Sequence, residues 1–206
     1  REESVPFIEL PDTGIQPRSA LGFSFKALLA IMGEQSEMKS LVGLGSIFSP
    51  ESLEAQGKVI AKNLEGLIPV IYSSSRNAPL AYIWKITFNE TGKVPAFYNN
   101  FPELNHNEME SFSSNPDKTL PRKFAFVFLE DASDDERIQK RMSVVRQIYK
   151  DRGFFVQALK MEGKNLFHKI FSSVILSDWV GYYIAKQLNI DPERVHIIEE
   201  FKKLMK

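Results

Sequence analysis

Short apolar runs alternate with amphipathic helical stretches along most of this chain, and this alternation restricts the possible folds more than any other feature. The runs that predict strands cover residues 68–72, 94–98, 123–129 and 154–159. Continuous apolar runs of this length are typical of strands that are covered on both faces. Strands separated by helices are joined by right-handed crossovers. The sequence therefore predicts an α/β fold with a doubly wound, mostly parallel sheet and helices on both faces.

The helices between these strands are predicted from apolar stripes and end signals. Residues 80–88 carry a stripe at helical spacing, which predicts a helix that ends near Glu90. Gly92 is expected to close that helix in the left-handed conformation. Ser133 and Glu136 have the spacing of a capping box for a helix through Tyr149. Polar residues interrupt the apolar stretch 165–188, which predicts a buried helix rather than a membrane span.

The first 48 residues predict a strand at 5–10, a helix at 20–32 and a linker at 33–48. A strand and a helix without neighbouring strands have no sheet on which to pack, so we interpret residues 1–48 as the end of a domain that begins earlier in a longer protein. Residues 49–190 are then a second domain. Asp191 and Pro192 are a helix start signal, so residues 191–206 are predicted to form a carboxyl-terminal helix.

Composition excludes several classes of protein. The 206 residues include 26 basic and 26 acidic side chains, so the net charge of zero leaves no basic excess for a nucleic-acid surface. The absence of cysteine excludes disulfides, thiolate nucleophiles and cysteine-ligated zinc. The chain shows neither a signal peptide nor a long uncharged apolar run, so we expect a cytoplasmic protein that binds neither nucleic acid nor membrane.

The candidate chemistry lies in residues 85–110. Glu90 supplies a carboxylate where the helical pattern ends. His106 supplies an imidazole directly after a turn signal. These are the two side-chain types that transfer protons near neutral pH. Each has an ordinary structural alternative, since Glu90 could be a solvated charge and His106 a capping or partly buried side chain.

Two further possibilities rest on local sequence. Ser73 follows the strand 68–72 and precedes a helix, and ligands bind at the carboxyl ends of strands in open α/β sheets. Ser73 is therefore a candidate for lining the substrate site, with a polar turn as the alternative. His106, Glu108 and Glu110 are close enough in sequence to suggest a metal hydrolase, but no second histidine stands at i+4, which disfavours that interpretation.

Three stretches carry a resemblance to a known family. WKITFNETGK at 84–93, followed by FPELNHNEM at 101–109, resembles the paired signature of the bifunctional phosphoglucose/phosphomannose isomerases. These are two-domain sugar isomerase (SIS) proteins with flavodoxin-like sheets. GIQPRSALGFSF at 14–25 resembles the stretch that leaves their first SIS domain. The likeness covers nearly all of the chain, as the carboxyl-terminal two-thirds of a family member.

The resemblance implies roles for individual residues. Glu90 takes the place of the base that moves a proton between C1 and C2 of the sugar, and His106 that of the residue that assists ring opening. Arg18 matches the arginine that contacts bound substrate, and Lys202 matches a terminal-helix lysine that approaches the active site. Val195 stands where the family has a threonine that lines the pocket. The resemblance therefore supports glucose 6-phosphate as a substrate more strongly than mannose 6-phosphate.

The resemblance also implies an activity and an assembly. It implies an aldose-ketose isomerase that interconverts glucose 6-phosphate and fructose 6-phosphate by a proton-shuttle enediol mechanism. The substrate would be a phosphorylated hexose, the protein a homodimer, and the reaction would need no metal and no other cofactor. The phosphate site would lie mainly in the first SIS domain. The alternative function is a non-catalytic SIS module that binds sugar phosphates.

Overall fold

A computed structural model describes residues 5, 7–113, 119, 121 and 123–206 of the chain. These residues divide into two compact units, Arg1–Ser49 and Pro50–Lys206. None of the described helices combines the length and the apolar character needed to cross a bilayer.

The first unit is helical where it is regular. A 3-10 turn at Pro17–Ser19 leads into α1 (Leu21–Met32), and α2 (Gln35–Leu41) and α3 (Leu44–Ile47) follow. Gly33 ends α1 with a φ of 76°, a left-handed conformation that glycine adopts without steric cost.

Two expectations for this unit are wrong. Residues 5 and 7–10 do not form the predicted strand, and Pro6 lies outside the described residues. A strand needs a neighbour to satisfy its backbone hydrogen bonds, and the described residues of this unit include no sheet. The predicted linker at 33–48 contains α2 and α3 instead, because Met38 and Leu41 stand three residues apart and give α2 a short, partly buried apolar stripe.

The second unit contains the sheet and most of the helices. A 3-10 turn (Pro50–Leu53) and α4 (Glu54–Asn63) come first. The remaining elements, in chain order, are β1 (Ile68–Ser74), α5 (Ala78–Glu90), β2 (Phe97–Phe101), β3 (Phe124–Glu130), α6 (Glu136–Asp151), β4 (Phe155–Lys160), α7 (Leu166–Gln187) and α8 (His196–Leu204).

The four strands confirm the predicted α/β fold. They pair in parallel in the order β2-β1-β3-β4. β1 lies inside the sheet with β2 on one side and β3 on the other, so the chain reverses its direction of winding there. This reversal makes the carboxyl ends of β1 and β3 the topological switch point, where open α/β sheets bind ligands.

Helices cover both faces of the sheet. On one face α6 packs on a cluster of buried side chains, namely Val70, Tyr72, Phe101, Leu104, Phe126, Phe128, Met142, Val145, Tyr149 and Phe154. On the other face α5 buries Leu80, Trp84 and Phe88, and α7 packs against both α5 and α4. A Cβ on Gly57 of α4 would lie 2.5 Å from Trp179 Cβ of α7, so this close helix contact requires glycine.

Several element boundaries differ from those predicted. β2 begins at Phe97 rather than at 94, because the Val94 amide donates to Phe88 and the Val94 carbonyl accepts from the Asn89 side chain. Both partners are residues of α5, so the backbone of Val94 does not pair with the sheet. The N-cap of α6 is Asp135, whose carboxylate accepts from the Arg137 amide at 2.8 Å, rather than the predicted Ser133.

Candidate functional site

Glu90 is the last residue of α5, and its side chain is partly buried. The helix end is held by the amides of Thr91 and Gly92, which both donate to the Thr87 carbonyl, at 2.9 and 3.0 Å. The predicted left-handed glycine is wrong, because Lys93 has the positive φ, at 59°. Gly92 is needed for another reason, since a Cβ there would lie 2.8 Å from the carbonyl oxygen of Phe88, earlier in α5.

His106 lies in the loop after β2, and its side chain is exposed. The loop is anchored by Leu104, which is fully buried, and by Glu108. Glu108 accepts hydrogen bonds from the Tyr72 hydroxyl and from Asn99 Nδ2, the latter at 2.5 Å. Burial raises the pKa of the Tyr72 phenol far above its usual range, so the hydroxyl stays protonated and donates. The exposed imidazole of His106 therefore lies on a loop that is anchored to the core.

Within a single chain, Glu90 and His106 do not lie together. α5 starts after the carboxyl end of β1 and runs back along the sheet for 13 residues, about 20 Å, so Glu90 lies at the edge where the strands begin. β2 then crosses the sheet again, since its first residue pairs with Val70 and its last with Ser74. His106 therefore lies at the edge where the strands end. The two side chains occupy opposite edges of one sheet.

Ser73 is fully buried in β1, and its hydroxyl donates to the Ser74 carbonyl oxygen at 3.0 Å. The next side chains belong to a buried polar network at the switch point between β1 and β3. Ser74 Oγ donates to Asp134 at 2.9 Å, and Asn77 Nδ2 reaches Asp131 at 3.3 Å. These polar groups are therefore hydrogen-bonded within the protein. That Ser73 lines a substrate site remains a prediction.

The two carboxylates of this network have opposite pKa shifts. Burial alone would raise the pKa of Asp131. The carboxylate accepts hydrogen bonds from Lys169 Nζ, at 2.7 and 2.8 Å, and from the Ser133 amide. These bonds outweigh the effect of burial and hold the pKa of Asp131 below its ordinary value. Burial, followed by the negative charge of Asp131, raises the pKa of Asp134 despite the hydrogen bond from Ser74. The sequence did not predict this network, because its residues come from three separate parts of the chain. These are the junction of β1 and α5, the loop after β3, and α7.

We expect Lys169→Met to lower the free energy of unfolding by about 3–5 kcal/mol near neutral pH, because it leaves the buried Asp131 carboxylate without its cation. The stabilisation from a carboxyl whose pKa is lowered is present at neutral pH and lost in acid. The deficit of the variant should therefore shrink as the pH falls, starting above about 3.9, the ordinary carboxyl pKa, because burial raises the Asp131 pKa once the lysine is gone. Urea unfolding at neutral and acid pH measures both effects.

A double variant separates charge from packing in this experiment. Lys169→Met combined with Asp131→Asn removes both charges and should recover most of the loss at neutral pH. Lys62→Met, which breaks an exposed ion pair with Glu65, should change stability little. A deficit that stays unchanged in the double variant would show that lost packing, not an uncompensated charge, destabilises the protein.

Lys202 lies on α8, is exposed and pairs with Glu199 at 2.9 Å. The loop that leads into α8 contacts the end of α5, because Lys93 Nζ donates to the carbonyls of Pro192 and Arg194. The structure therefore places the entrance to α8 beside Glu90. Sequence analysis did not single out Lys93, although it stands within the WKITFNETGK stretch.

Arg18 lies in the first unit, in the 3-10 turn before α1. Its side chain is partly buried, and Nη1 lies 3.5 Å from Gln16 Oε1, a long hydrogen bond. Its role remains a prediction.

A cavity of about 910 Å³ lies in the second unit between α4, β4 and α7. Its polar lining includes Lys164, His168, Lys169 and Ser172, and none of the predicted site residues lines it. Across the described parts of the chain, no three histidine or carboxylate side chains are grouped so that they could hold a metal ion.

The parallel four-stranded sheet with helices on both faces is shared with a solved structure. A glucose-6-phosphate isomerase like protein from Thermus thermophilus has this fold, with a TM-score of 0.68. That likeness covers 91% of this chain and 63% of the other, and at 16% identity it concerns the fold alone.

Residues 53–205 match the model of one family, described as the bacterial phospho-glucose isomerase C-terminal SIS domain. The chain belongs to this family. It is 34% identical to the bifunctional phosphoglucose/phosphomannose isomerase of Aquifex aeolicus, over 100% of this chain, and 33% identical to that of Thermoplasma acidophilum, over 98%. The match covers 63% of the length of each relative, so the chain spans about three-fifths of these proteins.

Proposed function

We propose that this chain is the second-domain part of an aldose-ketose isomerase that interconverts glucose 6-phosphate and fructose 6-phosphate. Its family and the names of its relatives support the class of sugar-phosphate isomerases. The observation that carries the proposal is the end of α5. Glu90 stands there on a helix end held by backbone hydrogen bonds, and Lys93 joins that end to the loop before α8. A carboxylate on a backbone that is held in this way is suited to general base catalysis.

In the proposed reaction, Glu90 takes the proton from C2 of the open-chain aldose and returns it to C1, while a proton passes from O2 to O1. His106 first assists ring opening by moving a proton from the O1 hydroxyl to the ring oxygen. The resemblance gives Arg18 a contact with bound substrate, and that role stays a proposal. Val195 offers no hydroxyl to the pocket, so we propose glucose 6-phosphate as the principal aldose.

We propose that the site is built from two subunits. Glu90 and His106 lie at opposite edges of one sheet, so they can reach the same sugar only if each comes from a different copy of the chain. The exposed imidazole of His106 supports this arrangement, as do two exposed aromatic side chains on the edge strand β2. Phe97 is 55% exposed and Tyr98 is 39% exposed, which favours burial against a partner.

Hydrogen exchange at the substrate carbon distinguishes an isomerase from a binding module. The complete protein is incubated with glucose 6-phosphate in deuterated buffer, and deuterium at C2 is followed by NMR. An isomerase that works through an enediol exposes the transferred proton to solvent for part of the time, so deuterium should enter. A non-catalytic module that only binds sugar phosphates would incorporate none, and that outcome would replace our proposal by this alternative.

We expect the isolated 206-residue chain to fold but to turn over substrate at least about 100-fold more slowly than the complete gene product. We propose that a first SIS domain binds the phosphate, and binding energy from such a remote group holds the sugar against the base. The second unit has its own sheet and core, so we expect it to fold without that domain.

Two measurements on the isolated chain test this expectation. Amide hydrogen exchange should be slow in β1 and β3 and faster in residues 7–32, which contain no sheet. Turnover is assayed with glucose 6-phosphate and with fructose 6-phosphate. Wild-type turnover by the isolated chain would contradict a phosphate site in another domain.

A further inference from the structure

Lys93 adopts a left-handed backbone conformation, with a φ of 59°, directly after the end of α5. This conformation is uncommon for a side chain with a Cβ. Asn189 is the other non-glycine residue with positive φ in the described part of the chain, and asparagine is tolerated there more readily. A lysine in this position needs an interaction that offsets the strain.

The ammonium group of Lys93 supplies that interaction. Nζ donates to the carbonyl oxygen of Glu90, to that of Arg194 at 2.6 Å and to that of Pro192 at 3.3 Å. The side chain is partly buried. An ammonium has three protons and no acceptor, so three converging carbonyls match its hydrogen-bonding capacity. Hydrogen bonds from a charged donor are stronger than neutral ones.

The two sides of this contact are held independently of Lys93. On the α5 side, the amide of Gly92 donates to Thr87. On the other side, Asp191 Oδ1 accepts from the Glu193 amide at 2.9 Å, which shapes the turn before α8. Lys93 therefore joins two preformed chain segments.

We propose that Lys93 is a positioning residue that locks the catalytic end of α5 to the entrance of α8. It would fix Glu90, through its carbonyl, in one arrangement with the helix that carries Lys202. This proposal rests on the proposed function of Glu90 as the base. Glycine would take the same backbone conformation without strain, but it could not join the two segments. The ammonium also lies at the negative end of the α5 dipole, where a cation is favourable.

Three substitutions at Lys93 test the proposal in the complete protein. Lys93→Gly relieves the backbone strain and removes the ammonium. Lys93→Met removes the ammonium and keeps the length of the side chain, and Lys93→Arg keeps a charged donor. Lys62→Met, at an exposed lysine paired with Glu65, is the matched control. Steady-state rates with glucose 6-phosphate and amide hydrogen exchange are measured for each.

We expect Lys93→Gly and Lys93→Met to lower kcat by about 10- to 100-fold, because a displacement of about 1 Å at a base is costly. KM should stay within about threefold, since substrate contacts remain. Amide exchange in residues 191–204 should become at least about tenfold faster. Lys93→Arg should recover part of kcat and of the protection, and Lys62→Met should match wild type.

The outcomes separate this proposal from the proposed function. A Lys93→Gly variant with wild-type kcat, beside an inactive Glu90→Gln variant, would overturn the positioning role and leave the isomerase intact. If the wild-type protein shows no isomerase activity, the proposed function fails. The role of Lys93 is then tested by hydrogen exchange alone. Unchanged exchange in residues 191–204 in all three variants would show that Lys93 does not hold the loop before α8 against α5.

Discussion

Glu90→Gln is expected to lower kcat for the conversion of glucose 6-phosphate by about 10²- to 10⁴-fold in the complete protein. The substitution removes the proposed base but keeps the shape of the side chain. The end of α5 is held by main-chain hydrogen bonds, so the fold should not change. Initial rates and thermal unfolding of the purified variant measure the two effects, and the melting temperature should stay near that of wild type.

Glu65→Gln is the matched control for this experiment. Glu65 is an exposed carboxylate that pairs with the exposed Lys62. It lies just after the end of α4, much as Glu90 lies at the end of α5. This control should retain wild-type kcat. A Glu90→Gln variant with the rate of the control would remove Glu90 from the mechanism, and a variant that fails to fold would point to a structural role.

Mixing two inactive variants is expected to restore activity. Glu90→Gln and His106→Ala subunits should each be inactive as homodimers. A heterodimer would contain one site with both residues intact, because in the proposed site the glutamate comes from one subunit and the histidine from the other. Random exchange at equal amounts should therefore recover about a quarter of the wild-type rate in a twofold-symmetric dimer. The rate is followed as a function of the mixing ratio.

The mixing experiment has an internal control. Glu90→Gln mixed with a Glu90→Gln/His106→Ala double variant should recover nothing, since no subunit supplies the base. Subunit exchange is verified by mass spectrometry with one isotopically labelled partner. No recovery in the first mixture, with exchange verified, would place both residues of a site in one subunit and would conflict with their positions at opposite edges of the sheet.

The class of fold and the local setting of several residues were predictable from patterns in the sequence. Continuous apolar runs such as 68–72 bury both faces of a strand, and that pattern is set by composition over a few residues. The helix before Glu90 and its end were likewise predictable, because an apolar stripe and a following glycine are local signals. The alternation of these elements along the chain led to a parallel sheet, which the structure confirms.

Local signals were less informative where a residue's role depends on distant neighbours. Gly92 was predicted to be left-handed, yet Lys93 takes that conformation, because its ammonium finds carbonyls in residues about a hundred positions later in the chain. Ser133 was predicted to cap α6, but its amide donates to Asp131 within the buried network, and Asp135 is the cap. A long-range contact therefore overrides the local preference at Lys93, and a hydrogen bond within the loop after β3 does so at Ser133.

The positions of the two candidate proton-transfer groups could not be predicted from the sequence, because they depend on the path of the chain in three dimensions. The resemblance pairs Glu90 with His106, but a helix antiparallel to its strand carries Glu90 to one edge of the sheet, and the following parallel strand carries His106 to the other. The separation follows from the geometry of a β-α-β unit, in which the distance between two points depends on element lengths and directions. Sequence motifs contain the residue types and their spacing, whereas the path of the chain through the sheet decides which of them can meet.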